Sequence, residues 1–215
     1  MKSALKLSII ICLLLTVYSL NAQIYRVEIG YGKPSRYGAE SRTTHFDGIR
    51  LGATAEFKLK DNFSLLTGAL YNAVYAKEVQ YYSPSDSVTY RTFGHSVDIP
   101  LRLTYTLNIS KTMKAFAFAG PNINIGLFQP QKISTVLTTS LAEYTNIKDL
   151  DYSENDLYKR ALISRINFQI GAGAGLQWKN YQIKGGYDFG INSINKIDTS
   201  KLFQSGWYVS LVYQF

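Results

Sequence analysis

The strongest constraint on this chain is a two-residue alternation of apolar and polar side chains that recurs along most of its length. In the last such stretch, the apolar face consists of Trp207, Val209, Leu211, Tyr213 and Phe215. Successive side chains of a β-strand point to opposite sides, so this pattern predicts a strand with one apolar face. Eight such stretches predict eight strands, at residues 25–31, 49–58, 63–79, 96–107, 115–127, 166–178, 181–192 and 206–215.

Two of the predicted strands depart from the pattern. The third carries Leu66 and Leu70 on its otherwise polar face. In the fifth, Phe116 and Phe118 are out of phase with the apolar residues that follow them. Because proline cannot donate to a strand ladder, we expect a β-bulge near residues 120–121 to reset the phase.

The connections between the predicted strands alternate in length without exception. The short ones are residues 60–62, 108–113 and 179–180, and the long ones are residues 33–48, 80–95, 128–163 and 193–205. Outer-membrane barrels with an even number of strands have short periplasmic turns and larger external loops. The sequence therefore predicts an all-β fold, an eight-stranded antiparallel up-and-down transmembrane β-barrel integral to the outer membrane, with both termini periplasmic.

The first 22 residues have the features of a secretory signal peptide. Lys2 and Lys6 give a positive start, residues 7–17 form an apolar core, and residues 20–22 end in the small residue that cleavage needs. The core is shorter than the ~20 residues of a membrane-spanning helix. We expect a cleaved signal peptide at 1–22 and a barrel domain at 23–215; a retained helical anchor is the alternative.

Charge and cysteine usage exclude several classes of function. The formal net charge is +8, and loss of Lys2 and Lys6 would leave +6. The basic residues are spread singly, so contact with anionic lipid headgroups or loop solubility explains them better than nucleic-acid binding. Cys12, the only cysteine, lies in the predicted signal, which excludes disulfides and thiolate chemistry from the mature chain.

The polar faces of the strands are predicted to line the inside of the barrel. A strand in lipid must pair all its backbone groups, only closure removes the edges, and eight strands leave an interior that side chains can fill. The charged residues expected there are Arg26, Glu28, Arg50, Glu56, Lys58, Asp98, Arg102, Lys184 and Asp188. Their near balance of sign favours a salt-bridged structural network over a selective pore, because unpaired buried charges are costly.

A secreted soluble barrel or sandwich is the alternative fold, with the apolar face turned inward. Strands of ten or more residues match the ~9–11 that cross a membrane at a tilt. Aromatic residues such as Tyr25, Trp178 and Trp207 cluster near strand ends, where interface girdles lie. The run 171–175 of glycine and alanine would also fill a soluble core poorly. These features favour the membrane barrel.

Four segments resemble the small outer-membrane β-barrels of Bacteroidetes-type bacteria called PorT-like. They are residues 97–103 (VDIPLRL), 118–121 (FAGP), 171–175 (GAGAG) and 59–65 (LKDNFSL). The end of the chain is similar to the signal read by the barrel-assembly machinery, with Leu211, Tyr213 and Phe215 as its residues. The resemblance implies the fold, the outer membrane and the assembly machinery as a partner. One member of the family assists a secretion system, so an envelope secretion complex is a further candidate partner.

The sequence offers little for catalysis, metal or cofactor binding. His45 and His95 are the only histidines; Ser96 follows His95, but neighbours on a strand face opposite sides and cannot form a nucleophile–base pair. Carboxylates that could bind Ca²⁺ lie in the third long connection, at Glu143, Asp149, Asp151, Glu154 and Asp156. Their spacing favours a solvated loop with a short helix at 154–160.

We therefore expect no enzyme, catalytic residue, metal or cofactor, and a scaffold that acts through its external loops. A role accessory to protein secretion is one form of that function. Two alternatives stay open. One is a small-solute or ion channel, suggested by the charged interior. The other is a lipid-modifying enzyme of the outer leaflet, with His95 as its best candidate residue.

Overall fold

The computed structural model describes residues 23–38, 41–84, 86–136, 155–197 and 200–215. The predicted signal peptide lies outside these residues. The regular structure consists of ten strands: β1 (Gln23–Gly38), β2 (Ser41–His45), β3 (Asp47–Lys58), β4 (Phe63–Tyr81), β5 (Ser87–Asn108), β6 (Met113–Phe128), β7 (Gln131–Val136), β8 (Ile166–Trp178), β9 (Tyr181–Gly190) and β10 (Leu202–Gln214). None of the described residues forms a helix long and apolar enough to cross a membrane.

Eight of the strands form a closed antiparallel ring. Its order is β1, β3, β4, β5, β6, β8, β9 and β10, and each strand pairs with its neighbour in the chain order of these eight. β10 pairs back onto β1, from Arg26 opposite Gln214 to Gly38 opposite Leu202. This confirms the predicted eight-stranded up-and-down barrel, since closure by the last strand leaves no open edge within the ring.

The other two strands, β2 and β7, extend the ring at the end where the long connections lie. β2 pairs with residues 35–38 of β1, and β7 pairs with residues 87–92 of β5. Much of the predicted long connections is therefore strand. β4 continues to Tyr81 and β5 begins at Ser87, so the connection predicted at 80–95 shrinks to a tight turn. We call this end of the barrel the long-loop rim and the opposite end the short-turn rim.

The outer surface of the ring is apolar. Ile29 is 62% exposed and Ile183 51% exposed, although both are large aliphatic residues. Their strand neighbours, such as Glu28 and Lys184, are buried inside. A surface this apolar is unfavourable in water and favourable in hydrocarbon, so the orientation is that of a barrel in lipid.

Aromatic side chains form a belt at each rim. On the short-turn rim the outward aromatic residues are Tyr25, Phe63, Tyr105, Trp178, Tyr181, Tyr213 and Phe215, and on the long-loop rim they include Tyr31, Tyr75, Phe93 and Trp207. Neighbouring rings contact across strands, with centroids 4.9 Å apart for Phe63 and Tyr105 and 5.6 Å for Tyr31 and Trp207. Such belts lie at the two interfaces of a membrane.

The bulge expected near residues 120–121 is absent, which corrects the prediction. The pairing of β6 with β8 runs without a shift from Met113 opposite Trp178 to Ile125 opposite Ile166. Phe116 and Phe118 instead point into the lumen, so the alternation is unbroken. They looked out of phase because an apolar residue was expected to face lipid.

Three glycines of β8 make room for these inward side chains. A Cβ at Gly175 would overlap the ring of Phe116, one at Gly173 that of Phe118, and one at Gly171 the carboxylate of Asp188. Leu66 and Leu70 of β4 are also buried inside. The lumen therefore contains an apolar layer as well as polar groups, packed against the glycines of β8.

Candidate functional site

The centre of the lumen is organised around the carboxylate of Glu28, which is fully buried. The Nζ atom of Lys184, on β9, lies 2.6 Å from one carboxylate oxygen, and Nε of Arg50, on β3, lies 3.4 Å from the other. Closure of the ring brings these three strands together. Two cations on one carboxylate leave a positive excess that the surroundings must balance.

That balance comes partly from Asp98 on β5. A carboxylate oxygen of Asp98 lies 4.0 Å from the guanidinium of Arg50, and its two oxygens accept hydrogen bonds from Asn72 (2.9 Å) and Asn124 (2.7 Å). The guanidinium of Arg50 also lies over the ring of Tyr208, 4.0 Å from its centroid. Arg50 is thus held by a charge, a ring and the Glu28 carboxylate.

Two further ion pairs complete the network. Arg26 pairs with Glu56, which also accepts a hydrogen bond from Ser64. Arg102 pairs with Asp188. Four basic and four acidic side chains are therefore enclosed, and their charges cancel. Such pairing offsets the desolvation cost of buried ions only when each charge has a close partner.

Three of the four segments that carry the family resemblance meet at Arg102. It lies in residues 97–103, and its guanidinium donates to the backbone carbonyls of Gly120 and Gly171 as well as to Asp188. Gly120 and Gly171 belong to two of the other resemblance segments. These motifs therefore build one buried guanidinium site in the wall of the barrel.

The structure brings together eight of the nine predicted lumen charges, and Lys58 is the exception. Lys58 is exposed at the short-turn end of β3, and none of the ion pairs among the described residues includes it. The alternation places it on the lumen face, but the strand has by then left the enclosed part of the barrel. The prediction covered only the charged residues of the lumen face. It therefore missed their neutral partners Asn72, Asn124 and Tyr208.

Two small cavities lie in the lumen between described residues. One, of about 70 Å³, lies towards the long-loop rim, and the other, of about 30 Å³, lies among Leu66, Leu70, Phe116 and Phe118. Both reach Arg50 and Tyr208. Spaces of this size hold a few water molecules, so the side chains fill the interior as expected for eight strands.

A turn at residues 155–162 covers the lumen at the long-loop rim, where a short helix was predicted. Asp156 accepts hydrogen bonds from the backbone N–H groups of Gln129 (3.0 Å), Tyr158 (2.9 Å) and Lys159 (2.9 Å). The chain then turns without forming a helix. Tyr158 lies against Gly126, where a Cβ would overlap its ring, and burial raises the pKa of its hydroxyl.

At and beyond the long-loop aromatic belt, three strand segments form a sheet that we call the outer sheet. It consists of residues 76–81 of β4, residues 87–94 of β5, and β7. Tyr81 and Val136 at its far end are 73% and 65% exposed, and Tyr82 in the turn is also exposed. The outer sheet is thus a hydrogen-bonded extension of the barrel with large exposed side chains.

The two histidines lie towards the long-loop rim and have different partners. His95 faces outward, stacks on Phe128 with centroids 4.1 Å apart, and shares a hydrogen bond with Tyr71, whereas Ser96 bonds to Asn124 inside. His45 shares a 2.8 Å hydrogen bond with the hydroxyl of Ser35 through Nδ1.

The structure describes one of the carboxylates considered for Ca²⁺ and all three residues of the predicted assembly signal. Of the carboxylates considered for Ca²⁺, only Asp156 lies within the described residues, where it caps the turn at 155–162. No group of three or more histidines, cysteines and acidic residues in that part of the chain could hold a metal ion. The residues of the assembly signal, Leu211, Tyr213 and Phe215, all face outward, in or directly after the strand that closes the ring.

Comparison with known proteins gives a family and several similar structures. Residues 19–196 match the family described as outer membrane protein beta-barrel domain. None of the curated proteins matches the chain. The attachment invasion locus protein Ail of Yersinia pestis is 13% identical, with 89% of this chain and 98% of that one covered and a TM-score of 0.37.

Two other solved structures are similar to the same extent. Neisserial surface protein A is 12% identical, with 89% of this chain and 97% of that one covered and a TM-score of 0.37. The outer membrane enzyme PagL is 14% identical, with 88% and 98% covered and a TM-score of 0.35.

Proposed function

Because the chain belongs to the outer membrane protein beta-barrel domain family, we propose that it is a closed, non-enzymatic barrel that acts through its outer sheet. The protein is integral to the outer membrane and contacts lipid with its apolar outer surface. The observation that carries the proposal is the contrast between a filled lumen and an extended outer sheet with exposed aromatic residues. A partner could bind that sheet without any change in the barrel.

The proposal assigns the long-loop rim to the cell exterior and both termini to the periplasm. Phe215 donates its backbone N–H to the carbonyl of Tyr25 at the short-turn rim. The first and last strands therefore have their terminal ends on the same side of the membrane. A C-terminal strand with outward Leu211, Tyr213 and Phe215 suits recognition by the barrel-assembly machinery before closure. Periplasmic short turns are the usual arrangement in such barrels.

Orientation can be tested by labelling in intact cells. Cys12, the only cysteine of the sequence, lies in the predicted signal peptide, so the mature chain would give no background at introduced cysteines. Tyr82→Cys, in the outer-sheet turn, should react with a membrane-impermeant maleimide, whereas Ser110→Cys, in a short turn, should react only after lysis. The reverse pattern would show that the assigned orientation is wrong.

Function can be tested by complementing a deletion of the gene. Replacing residues 78–91 by a two-residue Asn-Gly turn should leave the barrel folded, as heat-dependent gel mobility would show, but should abolish complementation. A matched lumen variant, Glu28→Gln with Lys184→Met, removes one pair of opposite charges and should complement. Full complementation by the shortened variant would refute the outer-sheet hypothesis.

The channel alternative rests on the charged lumen and predicts the opposite result. In that case the lumen variant, not the shortened one, would lose function, and purified protein in planar bilayers would conduct above background. A role accessory to protein secretion is a specific form of the outer-sheet hypothesis. It predicts that the deletion strain retains in the envelope proteins that the parent strain releases.

A further inference from the structure

Arg36 of β1 is a half-buried cation at the long-loop end of the lumen, and the described side chains that contact it are neutral. Its Nε donates to Oε1 of Gln204 (2.7 Å) and its Nη2 to Oε1 of Gln129 (2.8 Å). The hydroxyl of Tyr158 lies nearby, and the guanidinium lies over the ring of Phe46, 4.9 Å from the centroid. Among the described residues, no carboxylate forms an ion pair with it.

The nearest acidic groups do not neutralise this cation. Glu78, on the inward face of β4, acts on Arg36 only beyond ion-pair distance. Asp98 and Asp188, at the floor of the same cavity, are paired with the lumen arginines. Burial lowers the pKa of Arg36, because the surroundings solvate its charge poorly. Arg36 is half-buried, and a poorly solvated cation without a counter-ion is unfavourable, so a bound anion would offset part of that cost.

A second donor without a partner lies beside Arg36. The side chain of Gln129 is fully buried, and its amide oxygen accepts from Arg36, which fixes the orientation of the amide. Its Nε2 group therefore points away from Arg36 and has no acceptor among the described residues. An unpaired buried N–H group costs free energy comparable to a lost hydrogen bond.

Both groups line the cavity of about 70 Å³ at the long-loop rim. We propose that this cavity binds a small oxyanion, such as phosphate or a carboxylate group, that accepts hydrogen bonds from Arg36 and Gln129. The planar guanidinium matches two oxygens of such an anion. The space is large enough for several waters or one small oxyanion and too small for a sugar or nucleotide.

Binding can be measured in detergent with inorganic phosphate as the probe, by calorimetry at constant ionic strength. The wild type should bind phosphate saturably. Arg36→Gln should weaken binding about ten- to a hundredfold, because it removes charge-assisted hydrogen bonds. Gln129→Met should weaken it less. Arg91→Gln, the same change at an outward arginine of the outer sheet, should have no effect.

A purely structural role for Arg36 gives a different result. If Arg36 only held Gln129 and Gln204 in place, Arg36→Gln would lower the unfolding midpoint equally with and without phosphate. The anion site predicts that Arg36→Gln unfolds no earlier than the wild type without phosphate and gains no stability when phosphate is added.

Two further probes identify the source of the anion. Binding of phosphate and acetate but not of glycerol 1-phosphate indicates a free small ion, whereas binding of the ester indicates the phosphate group of a larger molecule. No saturable binding by the wild type, as when a carboxylate of the chain itself occupies the cavity, would overturn the proposal. Equal binding by Arg36→Gln would also overturn it. These outcomes are independent of the complementation test.

Discussion

The middle of the lumen and its mouth at the long-loop rim differ in how their charged side chains are neutralised. In the middle, four cations and four anions pair across the barrel, and Glu28 holds both Arg50 and Lys184. At the mouth, Arg36 is held by neutral amide and aromatic groups. The comparison indicates that the middle of the lumen stabilises the closed barrel, whereas the mouth keeps an unsatisfied charge that a ligand can use.

The largest expected effect is the loss of the central carboxylate. Glu28→Leu leaves Arg50 and Lys184 without their closest counter-ion, and breaking a buried ion pair in this way costs about 3–5 kcal/mol. Urea unfolding in lipid vesicles, followed by tryptophan fluorescence, measures the change. Lys58→Leu, at the exposed end of β3, is the control and should change stability little. Equal stability of the two variants would show that the network does not stabilise the barrel.

The second prediction concerns the packing of the middle of the lumen. Gly173→Val places a side chain against the ring of Phe118 and the backbone of Gly185, and overpacking of this kind costs about 1–3 kcal/mol. Ala174→Val, the adjacent outward position, faces lipid and should be tolerated. Phe118→Ala should recover only part of the loss from Gly173→Val, because the backbone contact persists. If Gly173→Val and Ala174→Val unfold together in urea, the packing described for β8 is wrong.

At the mouth, a matched substitution should affect titration more than stability. Gly126→Val would displace the ring of Tyr158, at a cost below about 1 kcal/mol since only a surface turn moves. Burial raises the pKa of Tyr158, so the displaced hydroxyl should ionise at lower pH than in the wild type. Absorbance at alkaline pH measures this, with Tyr158→Phe in both backgrounds as the reference. An unchanged titration of Tyr158 would contradict its placement over the lumen.

The smallest effect is expected on the outer wall, away from both regions. His95→Ala removes a ring stacked on Phe128 and a hydrogen bond to Tyr71. We expect the lipid A species of cells that carry this variant to match those of the parent by mass spectrometry. His45→Ala should behave alike. A change in acylation with either variant would support the lipid-modifying enzyme instead of the non-enzymatic barrel.

The wrong predictions share one physical origin: the surroundings of each residue depend on parts of the structure that its local sequence does not show. Phe116 and Phe118 are apolar and were therefore expected to face lipid, but the glycines of a strand far along the chain open space for them inside. Lys58 has the correct alternation, yet nothing local shows that β3 leaves the enclosed lumen before it. Residues 80–81 and 87–95 were predicted to be part of a connection but are strand, because a strand that extends past the aromatic belt no longer needs an apolar outward face and the lipid-facing pattern fades.

The alternation of side chains, a local property of extended backbone, was enough to determine the eight strands, their order in an up-and-down ring and the outward direction of the apolar faces. It also placed the charged residues on the inner face. Only the tertiary structure decided which charges meet, because Glu28, Arg50 and Lys184 come from strands that the register of the closed ring sets opposite one another. The same closure left Arg36 among neutral groups, which no spacing along the chain could show.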